Sequence, residues 1–338
     1  MTHVMAEKAA PTTEIEERTT VYTPAEVSAL VLNSIKATRE RKGLGIPSYM
    51  PALDKYLKPA RPGQLLIIMG RPSNYKSGLM QYMARSVALD IIREGAEREI
   101  VVYVTWEMPV EDLGLYDLAA QMGVPASQLT EGTIDDDLWQ AVQVAAMRRA
   151  GLPLWIVGHS VERRRKRPNL TLTNVAMALR WIDDVMGFHP RVVFLDYLQQ
   201  MQTEHGEDRR MQVFDNVRRS KDMALHLACP VHLGVQAGRQ VDDRQWNLPE
   251  MGDGQETSNI EQTADVILSV WMPKTTKPAG EMLQMPKGAG GIQIEITDNL
   301  LVVGLKKQRT GPANKVCFVY VDHDRNQIHP LQIERLGE

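Results

Sequence analysis

Cysteine is scarce here: the chain has two in 338 residues, Cys229 and Cys317. That excludes a small secreted scaffold built on disulfides. Both lie in apolar, strand-like surroundings and read as buried free thiols of a cytosolic protein rather than as one disulfide. Long apolar runs are also missing. None approaches the roughly 20 residues that cross a bilayer, and no apolar core stands near the start to act as a secretion signal. The reading is therefore of a cytoplasmic protein with no membrane association. Nor is there an excess of one charge, because 39 Lys and Arg stand against 42 Asp and Glu, a net of −3. With no global basic field, any contact with nucleic acid must come from a local surface, such as the lining of a ring. What is present is 43% hydrophobic and 24% charged residues, enough for a substantial core.

Residues 1–22 are polar and without periodicity, and read as a disordered tail. A helix begins next. Thr23 is its cap, Pro24 fits the first helical position and Glu26 completes a capping box. Val27, Leu30, Val31 and Ile35 recur at helical spacing, and Gly43 can close the segment. That stripe packs either on its own domain or on a neighbouring subunit. From residue 44 onward strands and helices alternate. Apolar strands are read at 64–70, 100–106, 153–158, 191–196 and 231–236, with helices between them. Further strand-like runs lie at 264–272, 300–306 and 315–322, the last two joined across Arg309-Thr310-Gly311-Pro312. Such alternation predicts an α/β fold with a mainly parallel sheet and an antiparallel end. Residues 273–292, rich in Gly, Pro and Lys, read as a mobile loop.

Gly70-Arg71-Pro72-Ser73-Asn74-Tyr75-Lys76-Ser77 follows a buried strand and opens a helix. This is the context of a phosphate loop, in which backbone N–H groups and a helix N-terminus hold phosphates. Lys76 would neutralise the β/γ-phosphates of ATP or another NTP, and Ser77 would ligate Mg²⁺. The usual pattern has glycine where this chain has Tyr75. A tyrosine at positive φ costs about 1–3 kcal/mol. Its ring must also leave the phosphate cradle, toward the nucleotide's flank or a neighbouring subunit. On that view Tyr75→Gly keeps or raises turnover. Val192-Val193-Phe194-Leu195-Asp196 is an apolar strand ending in an acid, suited to hold Mg²⁺ through water. Glu107, at the tip of another strand, could orient an attacking water or simply favour a helix start. Gln236 ends the fifth strand and could sense the γ-phosphate.

Together with Glu107-Met108-Pro109, Asp196-Tyr197-Leu198-Gln199, Ile260-Glu261-Gln262 and Lys307-Gln308-Arg309-Thr310-Gly311-Pro312, Arg71-Pro72-Ser73 makes the chain resemble DnaB-type replicative helicases over residues 45–330. The resemblance implies a RecA-like P-loop core over residues 44–338, assembled as a hexameric ring on single-stranded DNA, with 5′-to-3′ motion. It implies that Lys307 and Arg309 complete the site of a neighbouring subunit, and that residues 23–43 form a linker helix docking on that neighbour. DNA contacts are implied for Arg209 and Arg210, and for a loop carrying Gln255, Glu256 and Ser258. In that loop Gln255 and Ser258 depart from a frequent arginine and a frequent glycine. Arg163-Arg164-Arg165-Lys166-Arg167 reads as an extra basic loop, either solvated or touching phosphates. The tail before Thr23 is too short for the family's N-terminal collar domain. The expectation is a motor working alone or with a separate collar, primase or loader protein. Two other readings compete: a ring that binds nucleotide without turning it over, and a recombinase-type ATPase. Intact Glu107 and Asp196 argue against the first, and the Glu-Met-Pro and Lys-Gln-Arg phrases against the second.

Overall fold

The chain divides between residues 44 and 45 into two units. The computed structural model describes residues 22–40, 45–131, 134–162, 170–201, 208–254, 259–284 and 293–331. The first unit contributes α1 (Pro24–Glu40). Its N-terminus is held as the sequence predicts: the Thr23 N–H donates to the Glu26 carboxylate at 2.7 Å, and the Glu26 N–H to the Thr23 hydroxyl at 3.3 Å. Two orphan donors of the first turn are thereby satisfied. Val27, Leu30, Val31 and Ile35 are exposed.

In the second unit, a short α2 (Pro51–Asp54) precedes β1 (Leu65–Gly70), α3 (Lys76–Glu94), β2 (Glu99–Thr105), α4 (Val110–Met122), α5 (Ala126–Thr130) and α6 (Asp136–Ala150). Then come β3 (Leu154–Val157), α7 (Leu172–Asp184), β4 (His189–Asp196), α8 (Arg209–His226), β5 (Val231–Gln236), α9 (Asn259–Thr263) and β6 (Val266–Trp271). The chain ends in β7 (Met282–Gln284), β8 (Gln293–Glu295), β9 (Leu300–Gln308), β10 (Lys315–Asp322) and β11 (Gln327–Pro330). The main sheet runs in the order β11-β10-β9-β6-β1-β5-β4-β2-β3. From β6 to β3 every pairing is parallel, and from β6 to β11 every pairing is antiparallel.

Burial explains the near-continuous apolar runs. Every residue of β1 is buried, as expected of a strand with helices on both faces. On one face Leu66 and Ile68 join Leu79, Met83 and Val87 of α3. On the other, Leu65 and Ile67 join Val175 and Leu179 of α7 and Val213 and Val217 of α8. A third cluster, with Leu248, Trp271, Leu300 and Phe318, packs at the antiparallel end. Thr171 caps α7 by accepting from the Asn174 N–H at 3.2 Å, and Asp135 caps α6 by accepting from the Leu138 N–H at 2.8 Å. Both cysteines are buried free thiols, pushed up to about 12 mainly by that burial.

One expectation needs correction. Residues 273–292, read as loop, include β7, which pairs antiparallel with β8 and buries Leu283. Gly- and Pro-rich flanks hide so short a strand, because its reason for forming is a tertiary contact. Among the described residues no helix is long and apolar enough to cross a membrane.

Candidate functional site

Four of the parallel strands end side by side, and their C-terminal edges carry the chemistry. In the order β1-β5-β4-β2 these edges lead to the phosphate loop, Gln236, Asp196 and Glu107. Register brings Gly70 opposite Gln236 and Thr105 opposite Asp196. The crevice outside the carboxyl ends of such strands is where open α/β sheets bind ligands.

The loop from Gly70 to Ser77 is fixed by three of its side chains. The Arg71 guanidinium forks onto Asp242 at 2.7–3.0 Å and donates to the Ala237 carbonyl at 3.1 Å. Asn74, buried, accepts from the Met272 N–H at 2.6 Å and donates to the Pro72 carbonyl at 3.0 Å. Tyr75 sits in the left-handed region at φ 59° and ψ 22°, and Ser73 also has positive φ, 61°. No side chain caps α3, so its first N–H groups stay open to an anion. The Tyr75 ring does leave the cradle. It turns onto its own chain, edge-on to His323 with ring centres 4.8 Å apart, and its hydroxyl donates to Asn326 Oδ1 at 2.7 Å.

Lys76 opens α3 and is buried, with its ammonium 4.2 Å from the centre of the Tyr197 ring. Burial pulls its pKa down, while the charges of Asp196 and Glu107 oppose that shift. Asp196 is buried as well. One carboxylate oxygen accepts from the Tyr103 hydroxyl at 2.8 Å, and the other is buried without a hydrogen-bond partner. An orphaned carboxylate oxygen on an acid whose charge is felt by a buried lysine suits a water-bridged divalent cation. Among the described residues no group of three or more His, Cys, Asp or Glu could hold a metal unaided. A Mg²⁺ ion would therefore be held jointly by the Ser77 hydroxyl, Asp196 and phosphate oxygens, and this donor set fits a hard cation.

Glu107 is exposed at the tip of β2. Gln236 is gripped by a residue to which the sequence reading gave no role. The Gln199 side chain accepts from the Gln236 N–H at 3.0 Å and donates to the Gln236 carbonyl at 3.3 Å, prolonging the β4–β5 pairing by one rung. The Gln199 carbonyl in turn accepts from Arg209 at 3.2 Å. Arg209 and Arg210 begin α8, and Asp208 caps it by accepting from the Arg210 N–H at 3.1 Å. Gln255, Glu256 and Ser258 lie outside the described residues, as does the basic run 163–167. The described neighbour of the first loop, Gly254, bridges Ala237 just beyond Gln236.

Beside the phosphate loop opens a cavity of about 560 Å³, lined by Tyr75, Ser77, Gly78, Gln81, Tyr116 and Asp324, among others. Its size is in the range that takes a nucleoside.

Lys307 and Arg309 are far from all of this. Lys307 pairs with Ile267 near the start of β6, and β6 runs parallel to β1. They therefore sit where β1 begins, opposite the end that carries the phosphate loop, about 15–20 Å away by the strand rise. There Arg309 meets the Asp265 carboxylate at 3.2 Å and Lys307 donates to the Glu261 carbonyl at 2.5 Å. Partial burial and the neighbouring Arg309 charge push the Lys307 ammonium's pKa down. Asp265 also accepts from the Leu65 N–H at 2.8 Å and from Lys221 at 2.6 Å, which anchors this edge to the start of β1.

Sequence reasoning missed Tyr103, Gln199, Asp242 and Asn326. Only Tyr103 left a signal, a hydroxyl within an otherwise apolar strand. The others are set by contacts between segments distant in the chain.

Known proteins are similar to this chain. The chain is 28% identical over 263 residues to the replicative DNA helicase DnaB of Leifsonia xyli, matching 76% of this chain and 53% of that one. It is 24% identical over 300 residues to the replicative DNA helicase DnaC of Bacillus subtilis, matching 88% and 59%. It thus spans about half the length of the curated relatives it matches. Among solved structures, one described as an ATPase domain superposes with a TM-score of 0.73 at 18% identity, covering 92% of this chain and 100% of that one. A DnaB-like replicative helicase, whose interactions with primase were described with its structure, superposes at 0.70 and 18% identity, covering 93% and 68%. The fold is therefore the RecA-like one of these domains. The family model of the DnaB-like helicase C-terminal domain matches residues 45–326, and the chain belongs to that family.

Proposed function

We propose that this chain is the motor of an ATP-dependent ring helicase that moves on single-stranded DNA during replication, acting in the cytoplasm as a homohexamer. One observation carries this reading. Lys76, Asp196 and Glu107 interact at one edge of the sheet beside an uncapped helix N-terminus, while Lys307 and Arg309 lie at the other edge. On this reading Lys307 and Arg309 of a second copy complete the site, as the resemblance to DnaB-type helicases implies, and their distance from the loop of their own copy supports it.

Lys76 and the open N–H groups of α3 would bind the β- and γ-phosphates of ATP. Mg²⁺, when bound through Ser77 and Asp196, supplies positive charge against the phosphate oxygens. Tyr103 holds the Asp196 carboxylate in place by its hydrogen bond. Glu107, exposed at its strand tip, would orient the attacking water. Gln236 sits beside Gly70 and would sense the γ-phosphate, and Gln199 links its backbone to Arg209 at the start of α8. That link gives a physical path from the nucleotide to a DNA-contacting residue. Arg209, Arg210 and the loop with Gln255, Glu256 and Ser258 would touch the strand. The cavity beside the loop would take base and ribose. Linker helix α1 would dock on the adjacent copy, supported by its exposed Val27, Leu30, Val31 and Ile35. Primase, a loader or a separate collar protein would be further partners.

ATP turnover measured with and without single-stranded DNA tests the reading. Turnover that rises with DNA is the expected result. Binding without turnover under both conditions would leave a nucleotide-holding ring instead.

A further inference from the structure

Tyr75 stands where phosphate loops carry glycine, and its contacts are those of a built element. The ring lies along the next turn of α3. A Cβ added at Gly78 would sit 2.5 Å from the Tyr75 ring, so Gly78 is the residue this ring requires. The hydroxyl reaches Asn326, in the turn between β10 and β11. Asn326 is buried and itself adopts positive φ, 45°, a conformation that asparagine tolerates. Its amide donates to Gln81 of α3 at 3.0 Å, and its carbonyl accepts from Arg85 at 2.8 Å. On the far side of the same turn the Asp324 carbonyl accepts from the Ala126 N–H of α5 at 2.7 Å. The turn is thus clamped between α3 and α5, and with His323 and Asp324 it forms one wall of the 560 Å³ cavity.

We infer that Tyr75 is a positioning residue for the nucleotide base, latching the β10–β11 turn to the phosphate loop so that the wall of the base cavity is preformed. The inference rests on the nucleotide reading above. It follows from geometry: one end of the tyrosine is backbone of the phosphate loop, and the other end holds the turn that lines the cavity. A glycine at 75 would give the loop its backbone freedom and release the turn. Fixing the wall in advance removes an ordering cost that binding would otherwise meet. Loss of the ring should therefore cost affinity for the base.

The test separates the base from the phosphates by calorimetric titration of the full chain with ADP and with inorganic pyrophosphate. Tyr75→Phe keeps the ring and removes the hydrogen bond to Asn326. It should weaken ADP binding about two- to tenfold, the range one lost hydrogen bond gives, and leave pyrophosphate binding unchanged. Tyr75→Gly, which also frees the backbone of the phosphate loop, should weaken ADP further and weaken ADP more than pyrophosphate. Tyr75→Phe and Asn326→Ala should combine with less than additive loss, since either removes the same latch. If both probes weaken equally, or neither changes, Tyr75 does not position the base and the inference is overturned. If the unsubstituted chain binds ADP no better than pyrophosphate, there is no base cavity to position and the inference falls while the phosphate site stands. If it binds neither probe, the nucleotide reading itself is lost.

Discussion

Asp196 keeps one buried oxygen without a partner, and Lys76 is buried close to it. Burial pulls the Lys76 pKa down, and a ligand that meets the ammonium and the unpartnered oxygen would stabilise both. Lys76→Ala should therefore lower ATP turnover by orders of magnitude while the chain stays folded, since the site loses its cation but the helix gains a good former. Near-normal turnover in a folded Lys76→Ala protein would remove Lys76 from the phosphates. Glu107→Gln should bind ATP yet hydrolyse it slowly, in a filter-binding assay paired with a turnover assay. A third residue-scale prediction concerns His232, fully buried in β5 with neither ring nitrogen bonded, its ring edge-on to Phe194 at 4.8 Å. Burial pulls its pKa down to about 3 from an ordinary 6.5. The unfolded chain takes up the proton first, so stability is intact above about pH 6.5 and is lost as pH falls toward 3. The loss is on the order of 4–5 kcal/mol by linkage. His232→Leu should flatten that acid limb, read as urea midpoints at pH 7 and pH 4.5. An equal drop in both proteins would assign it to other groups. The lysine, the acid-ended strand and the departure at 75 were legible in the sequence because local order carries them. The partners of Arg71, Tyr75 and Gln236 were not, since Asp242 and Asn326 stand roughly 170 and 250 residues away from Arg71 and Tyr75.

At the scale of elements, the sheet is held by its two helical covers. Leu179 of α7 is fully buried against the face that includes Leu65, Val193 and Val231. Leu179→Ala should cost about 2–5 kcal/mol in denaturant unfolding. A cost below about 1 kcal/mol would show that α7 is a loose cover. The loop's own anchor gives a sharper contrast. Asn74→Ala would leave the buried Met272 N–H without its acceptor, at about 1–3 kcal/mol. The parallel core was readable because buried strands between helices give apolar runs of a fixed length. β11 and the β7–β8 pair were not, because their residues lack that pattern and rest on contacts with β10 and with the third cluster.

At the scale of the whole molecule, the phosphate loop and the Lys307–Arg309 turn lie at opposite ends of one sheet. Arg309→Ala and Lys76→Ala should each be nearly inactive alone, yet mixed assemblies should regain ATPase, because some interfaces pair an intact loop with an intact arginine. Mixtures that exchange subunits and still show only the separate mutants' rates would confine Arg309 to its ion pair with Asp265. Single-strand affinity should fall steeply with salt, since a chain of net charge −3 has only local cations to offer. Removing Arg209 and Arg210 together should weaken it more than removing the basic run 163–167, and the opposite order would relocate the DNA path. On the reading that Arg309 completes a neighbour's site, the copies join head to tail, a heterologous contact that closes as a ring or runs on as an open spiral. An open row of n copies has n − 1 complete sites and a closed ring has n. Activity per subunit should therefore rise with protein concentration and level off when the rows close, and a lone copy should have none.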